Sequence, residues 1–203
     1  MGLHQKKKSD LFKNSDICLI TPEVKEAGLE MIPTSSTINQ LSIGDALAIS
    51  TLKKKKINNL DFKKFHPSGS LGEKLKTAED LMLTKNKIPF IDENRLMTNA
   101  LKIMTLKKLG TLIVRNKKKH TTGIITDGQI RRFNSKNINL NTLKVKDVMT
   151  KKPVKIDKNI LATKALAIMN EKKITSLCVY DNKKKLITIG ILHIHNILNK
   201  KIY

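Results

Sequence analysis

Asp80-Leu81-Met82 returns as Asp147-Val148-Met149, and Gly123-Ile124-Ile125 returns as Gly190-Ile191-Leu192, each displaced by 67 residues. Between these anchors, Ala100-Leu101-Lys102-Ile103-Met104 returns as Ala165-Leu166-Ala167-Ile168-Met169, displaced by 65. A slightly shortened loop between equivalent elements accounts for the difference. Repetition of this kind constrains the architecture more than any single motif, because each copy must be one supersecondary unit that hides its apolar face against the other. The duplication occupies residues 77–203, as copies over 77–137 and 143–203, and a different segment, residues 1–76, precedes it.

Each copy reads as strand, helix, strand, strand, helix. In the first, Ile88-Pro89-Phe90-Ile91 is extended, and Met97, Ala100, Leu101 and Met104 fall at i, i+3, i+4 and i+7, one stripe of an amphipathic helix. Thr111 to Val114 and Thr121 to Thr126 are β-branched runs on either side of a lysine turn, a hairpin pattern. Asp127-Gly128 reads as a helix-start turn, and Ile130 to Phe133 opens the last helix. The second copy matches through Val154 to Ile156, the stripe Ala162, Ala165, Leu166 and Met169, the strands Ser176 to Tyr180 and Leu186 to Leu192, and the helix Ile194 to Leu198. A module of about 60 residues buries only about 60% of its unfolded surface, so two copies packed together make the better core.

The formal charge of +23 raises nucleic acid as a partner. Three features argue against it. Arginine, whose fork suits phosphates and base edges, occurs only at positions 95, 115, 131 and 132. Aromatic residues are 3% with no Trp, too few for base stacking. The lysine runs at 6–8, 53–56, 117–119 and 183–185 are dispersed, and the last two occupy the equivalent strand turn of each copy, where lysine also discourages edge pairing. No apolar run approaches the length that spans a bilayer, and Lys6 stands where an acylation signal has a hydroxyl residue. Cys18 and Cys178 lie in apolar runs, which predicts buried thiols in a reducing, cytoplasmic setting. His193 and His195 share a face only on a strand, and with no third ligand in sight they read as turn or cap residues, without a metal.

The Asp-(Leu/Val)-Met opening, the Ala-Leu-x-Ile-Met helix and the Gly-Ile-(Ile/Leu) strand resemble a tandem pair of CBS domains, an α+β architecture of βαββα repeats. The resemblance implies an adenine nucleotide in the cleft between copies, held at Thr126, Asp127 and His193. Gln129 and Asn196 stand where such sites carry a ribose-binding aspartate, which weakens that expectation because an amide lacks a carboxylate's charge-assisted hydrogen bonds. The alternative is a dimerising or scaffolding pair.

In residues 1–76, Asp16 to Ile20 reads as a buried strand, and Ile38, Leu41, Asp45, Ala48, Ile49 and Leu52 give a long helical stripe, interrupted only by Asp45, behind Pro33-Thr34-Ser35-Ser36-Thr37. Ser35, Ser36 and Thr37 suit N-caps, and equally a phosphate held at a helix start. Lys25-Glu26-Ala27, the hydroxyl cluster, Gly44-Asp45-Ala46 and His66-Pro67-x-Gly69-x-Leu71-Gly72 are similar, in order and spacing, to the C-terminal part of a sugar isomerase (SIS) domain. Followed by a CBS pair, they resemble the arabinose-5-phosphate isomerase family of the KpsF/GutQ type. The resemblance implies a doubly wound parallel-sheet α/β remnant, a sugar-phosphate substrate, a homotetramer, and no cofactor. It also implies an enediol isomerisation for lipopolysaccharide-sugar synthesis, with Glu26 as base and His66 as proton shuttle or the reverse, and Ser35, Ser36 and Thr37 on the substrate. The Gly-rich lysine turn and Ser-rich phosphate loop of such a domain are not in this sequence, so the expectation is a chain inactive alone.

Overall fold

The computed structural model describes residues 2–4, 8–136 and 138–200. Lys6 and Lys7, and with them the acylation-signal position, lie outside these residues. The chain divides into two compact units, residues 1–58 and 59–203.

The first unit contains β1 (Gly2–His4), α1 (Asp10–Lys13), β2 (Cys18–Ile20) and α2 (Ser35–Lys54). β1 and β2 pair in parallel, Gly2 opposite Cys18 and His4 opposite Ile20. The expected buried strand is shorter and more open than its sequence suggests. Ile17 and Ile20 are 59% and 50% exposed, and Cys18 is half-buried, because a two-stranded ribbon supplies one neighbour strand and little cover. The helical stripe is present, yet no residue of α2 is buried, and Ile38 and Leu41 are 66% and 64% exposed.

The second unit opens with α3 (Asn59–Phe65) and α4 (Gly69–Lys74), ahead of the repeats. There follow α5 (Ala78–Leu81), β3 (Leu83–Thr84), β4 (Phe90–Asp92), α6 (Met97–Lys107), β5 (Thr111–Arg115), β6 (Thr121–Thr126) and α7 (Asp127–Asn134). The second copy supplies α8 (Val145–Val148), β7 (Thr150–Lys151), β8 (Lys155–Asp157), α9 (Ala162–Lys172), β9 (Ser176–Tyr180), β10 (Thr188–His193) and α10 (Ile194–Leu198). Two four-stranded sheets result, ordered β4-β5-β6-β7 and β3-β10-β9-β8.

Those orders show that the copies exchange their opening segments. β3 pairs antiparallel with β10 of the second copy, and β7 with β6 of the first. The short helices follow. Ala78 and Leu81 of α5 lie in the core of α9, Leu177, Val179 and Leu192, whereas Val145 and Val148 of α8 lie in the core of α6, Leu112 and Ile125. Crosswise backbone bonds secure the exchange: Ala78 N–H donates to the Ile160 carbonyl at 2.8 Å, and Val145 N–H to the Arg95 carbonyl at 2.8 Å.

β5 and β9 alternate between helix-covered and inter-repeat faces. Leu112 and Val114 point to the helices, while Ile113 meets Cys178 and Ile191 in a third, central cluster. The same interface buries Thr111 against Ser176, hydroxyls 3.3 Å apart, and Thr121 against Thr188, 2.7 Å apart. Each pair joins equivalent positions of the two copies. The partners satisfy each other, as buried hydroxyls must.

Candidate functional site

A cleft of about 690 Å³ opens within the second unit where strand ends of both copies converge. Thr126 and Asp127 reach it from the β6–α7 junction, Ser176 from the start of β9 and His193 from the end of β10. The three residues expected to hold a nucleotide, Thr126, Asp127 and His193, therefore line one cavity. Thr126 is the N-cap of α7, and Asp127 sits in its first turn with its carboxylate against Gly110, where an added Cβ would come within 2.5 Å of Oδ2.

Gln129 and Asn196, at the expected ribose positions, are engaged by the backbone. Gln129 Oε1 accepts the Thr126 N–H at 2.8 Å, and its Nε2 donates to Thr150 Oγ1 at 2.5 Å. Asn196 Oδ1 accepts the His193 N–H at 3.0 Å. Both amides close capping boxes at helix starts, which commits the oxygens a ligand would seek. His193 is itself an N-cap, its Nδ1 accepting the His195 N–H at 3.3 Å. Burial, and secondarily the charge of His195, lowers the His193 pKa below the usual imidazole value. Its neutral form therefore presents Nε2–H. Among the described residues no three His, Cys, Asp or Glu side chains gather as a metal would require.

In the first unit, Glu26 is tied into the start of α2. Its Oε2 accepts the Thr34 N–H at 2.7 Å, the Thr34 hydroxyl at 3.0 Å and the Ser36 N–H at 3.3 Å. Hydrogen bonds from the Ser36 hydroxyl, then from the Thr34 N–H, pull its pKa down to about 2. Thr34 is the N-cap residue, yet its hydroxyl turns to Glu26 and Ala27 rather than to the helix, and Ser35, Ser36 and Thr37 occupy the first turn. A side-chain carboxylate thus already holds helix-start N–H groups that could hold a phosphate.

His66 belongs to the second unit, directly after α3. Its ring stacks on Phe62 at 4.4 Å, and Nδ1 lies 3.2 Å from the Phe62 carbonyl, which can only accept. In the neutral ring this contact places the proton on Nδ1 and the lone pair on Nε2. The glycines behind it have separate duties: Gly69 takes φ +73°, and a Cβ on Gly72 would press on the Pro67 carbonyl carbon at 2.8 Å. The motif is a tight turn folded over its own helix, with Glu26 and His66 in different units.

The CBS domain family matches residues 78–136 and 145–202. The chain belongs to the CBS domain family. The CBS pair is similar in fold to a crystal structure of CBSX2 in complex with AMP, 22% identical, covering 62% of this chain and 96% of that one at TM-score 0.54. It is similar as well to the CBS domain pair of MJ0100 in complex with 5'-methylthioadenosine and S-adenosyl-L-methionine, 17% identical, covering 61% and 94%, also at TM-score 0.54. Sequence relatives reach beyond the pair. RP505 of Rickettsia prowazekii, an uncharacterized protein, is 38% identical over 95% of this chain and 59% of its own length. Arabinose 5-phosphate isomerase KdsD of Yersinia pestis is 37% identical over 94% and 58%. The chain therefore spans under two thirds of the length of these curated relatives.

The CBS cleft also contains groups that motif reading missed: Arg131 and Arg132 of α7, and Lys172 and Lys173 from the end of α9. Their signal was in the composition. Only four arginines stand among 40 basic residues, and two of them meet here.

Proposed function

We propose that this chain is the C-terminal share of an arabinose-5-phosphate isomerase, interconverting D-ribulose 5-phosphate and D-arabinose 5-phosphate for Kdo synthesis. One observation carries the reading. An alignment to KdsD covering 94% of this chain must run through most of residues 1–76, ahead of the CBS pair, so the likeness is not that of the accessory domains alone. In this reading residues 1–76 are the back portion of a SIS domain, and the chain assembles as a homotetramer. His66, with a free Nε2, shuttles protons on the sugar oxygens. Glu26 is the base for the enediol step. A carboxyl held at about 2 is a poor proton acceptor. A substrate phosphate taking over the Thr34 and Ser36 N–H groups, with Ser35, Ser36 and Thr37 around it, would release Glu26 and raise its basicity. The phosphate-binding turn and loop of the family are supplied from outside these residues, and the chain alone does not turn over.

The test is an arabinose 5-phosphate assay of the purified chain alone and of the chain co-expressed with the front 40% or so of KdsD. Turnover only in the second, lost in His66→Ala and Glu26→Gln, is expected. Turnover by the chain alone, or a soluble complemented assembly without activity, overturns the reading.

A second reading, a regulatory CBS pair that binds adenine nucleotides, is favoured by the convergence of Thr126, Asp127 and His193 with Arg131 and Arg132 in one cleft. Calorimetry with AMP and ATP against the Arg131→Ala/Arg132→Ala variant separates it from a purely scaffolding role.

A further inference from the structure

The other two arginines lie in a different cavity. This pocket, about 660 Å³, is confined to the first CBS copy, at the ends of β4 and β5 and beside the start of α6, and shares no residue with the inter-repeat cleft. Arg95, Lys102, Arg115, Lys117 and Lys119 line it, against one carboxylate, Asp92. That carboxylate is committed to a turn, where Oδ1 accepts the Asn94 N–H at 2.9 Å. None of the five cations has an ion-pair partner among the described residues. The Arg115 guanidinium lies 4.5 Å over the Phe90 ring, a contact that holds the fork in place before any ligand arrives.

The second copy supplies an internal control. Its equivalents of Arg95, Lys102, Arg115 and Asn116, displaced by 65, are Ile160, Ala167, Tyr180 and Asp181. There the local cation, Lys158, is neutralised by Asp181 at 3.1 Å and Glu79 at 3.3 Å. The fold therefore does not demand a basic pocket at this place. Lysine outnumbers arginine ninefold in the chain, yet every arginine lines one of the two cavities, two in each. Solvated lysines satisfy a general need for charge; arginine adds a planar set of donors matched to phosphate oxygens.

We propose that this pocket is a second ligand site of the CBS pair, taking a small polyphosphate anion, a pyrophosphate or triphosphate group free or on a metabolite. Arg95 and Arg115 grip the phosphates, and Lys102 and Lys117 add charge. The site is independent of the isomerase and nucleotide readings.

Inorganic tripolyphosphate is the probe, titrated calorimetrically into the whole chain at about 0.15 M salt, where loose surface attraction is largely screened. The experiment is run in an Arg131→Ala/Arg132→Ala background, so that the inter-repeat cleft does not contribute. One equivalent should bind, with affinity falling at least tenfold on Arg115→Ala and on Lys102→Glu. Lys102 is exposed, so its variant keeps the test decisive if loss of the Arg115 contact disturbs folding. A triple Lys183→Gln, Lys184→Gln, Lys185→Gln variant should bind within threefold of the background. Absence of binding, insensitivity to both pocket variants, or an equal loss in the lysine-turn variant overturns the proposal. So does a 20-nucleotide RNA that binds through these residues while tripolyphosphate does not.

Discussion

Replacing Gly190 with alanine tests the exchange of opening segments. The repeated Gly-Ile and Asp-x-Met motifs touch one another crosswise: Met82 lies over Gly190, and Met149 over Gly123. A Cβ on Gly190 would enter the shell of the Met82 sulfur and lie 2.8 Å from its Cγ and 3.1 Å from its Cβ. Ordinary carbon contacts are about 3.5–4.0 Å. The flexible thioether can swing aside. The Met82 Cβ cannot move without its backbone, which leads straight into β3, the strand paired through Thr84 to Gly190. Overpacking of this kind costs about 1–3 kcal/mol, offset by up to about 1 kcal/mol because alanine narrows the unfolded ensemble. A net loss of about 1–2 kcal/mol lowers the melting temperature by about 3–6 °C in a chain of this size. Thermal unfolding followed by far-UV circular dichroism reads it. Gly123→Ala should cost more, since the Thr150 carbonyl oxygen, a backbone atom, stands 2.9 Å from its added Cβ. The decisive measurement is the cycle with Met82→Ala, which keeps Cβ but deletes Cγ and the sulfur and so should recover the part of the Gly190→Ala loss spent on displacing them, about 1 kcal/mol. A Gly190→Ala protein as stable as the parent, or losses from the two substitutions that simply add, would refute the crosswise contact.

Three further outcomes follow from other features. The His193 pKa is lowered in the folded chain, so the unfolded state binds the proton more readily. Stability should fall as pH drops from the ordinary imidazole value through the folded one, and His193→Asn, which keeps an N-cap, should flatten the melting temperature as pH falls below about 6.5; an unchanged slope would exclude His193 as the source. Burial pushes the Cys178 thiol up to about 11, whereas Cys18 is half-buried, so one thiol per native chain should react with a disulfide reagent at pH 8 and two in denaturant. Lys108 and Lys173 close α6 and α9 with φ of 53° and 51°, a conformation that penalises a side chain. Lys108→Gly and Lys173→Gly should each stabilise by about 0.5–1 kcal/mol in chemical denaturation, and a loss in both would show that the lysines are held there by other contacts.

Much of the second unit was legible in advance because its elements carry strong periods. Met97, Ala100 and Met104 of the first stripe are buried as expected, and so are Ala162, Ala165 and Met169 of the second, while Leu101 and Leu166 are only partly buried. The first unit was less so. The pattern of α2 announces a helix, but burial depends on a covering layer, and among the described residues none of its side chains is buried. Candidate site residues divide in the same way. Thr126, Asp127 and His193 converge because repeat symmetry brings equivalent strand ends together, whereas Glu26 and His66 fall in separate units. The service of Glu26 to a helix start eight residues onward was invisible, since no local pattern distinguishes it from any exposed glutamate.

Read alone, the amino-acid order determined that there are two copies of one βαββα unit, where the five main elements of each run, and which positions differ between them. Tertiary structure alone decided that each copy completes its sheet with the other's opening strand. A strand as short as Leu83–Thr84 carries too little pattern to choose a partner, so its place is set by which core accepts Ala78 and Leu81. The same is true of the four arginines. Their number could be counted from the sequence, but only packing gathers them two by two into separate basic cavities, where proximity of like charge makes an anion the natural complement.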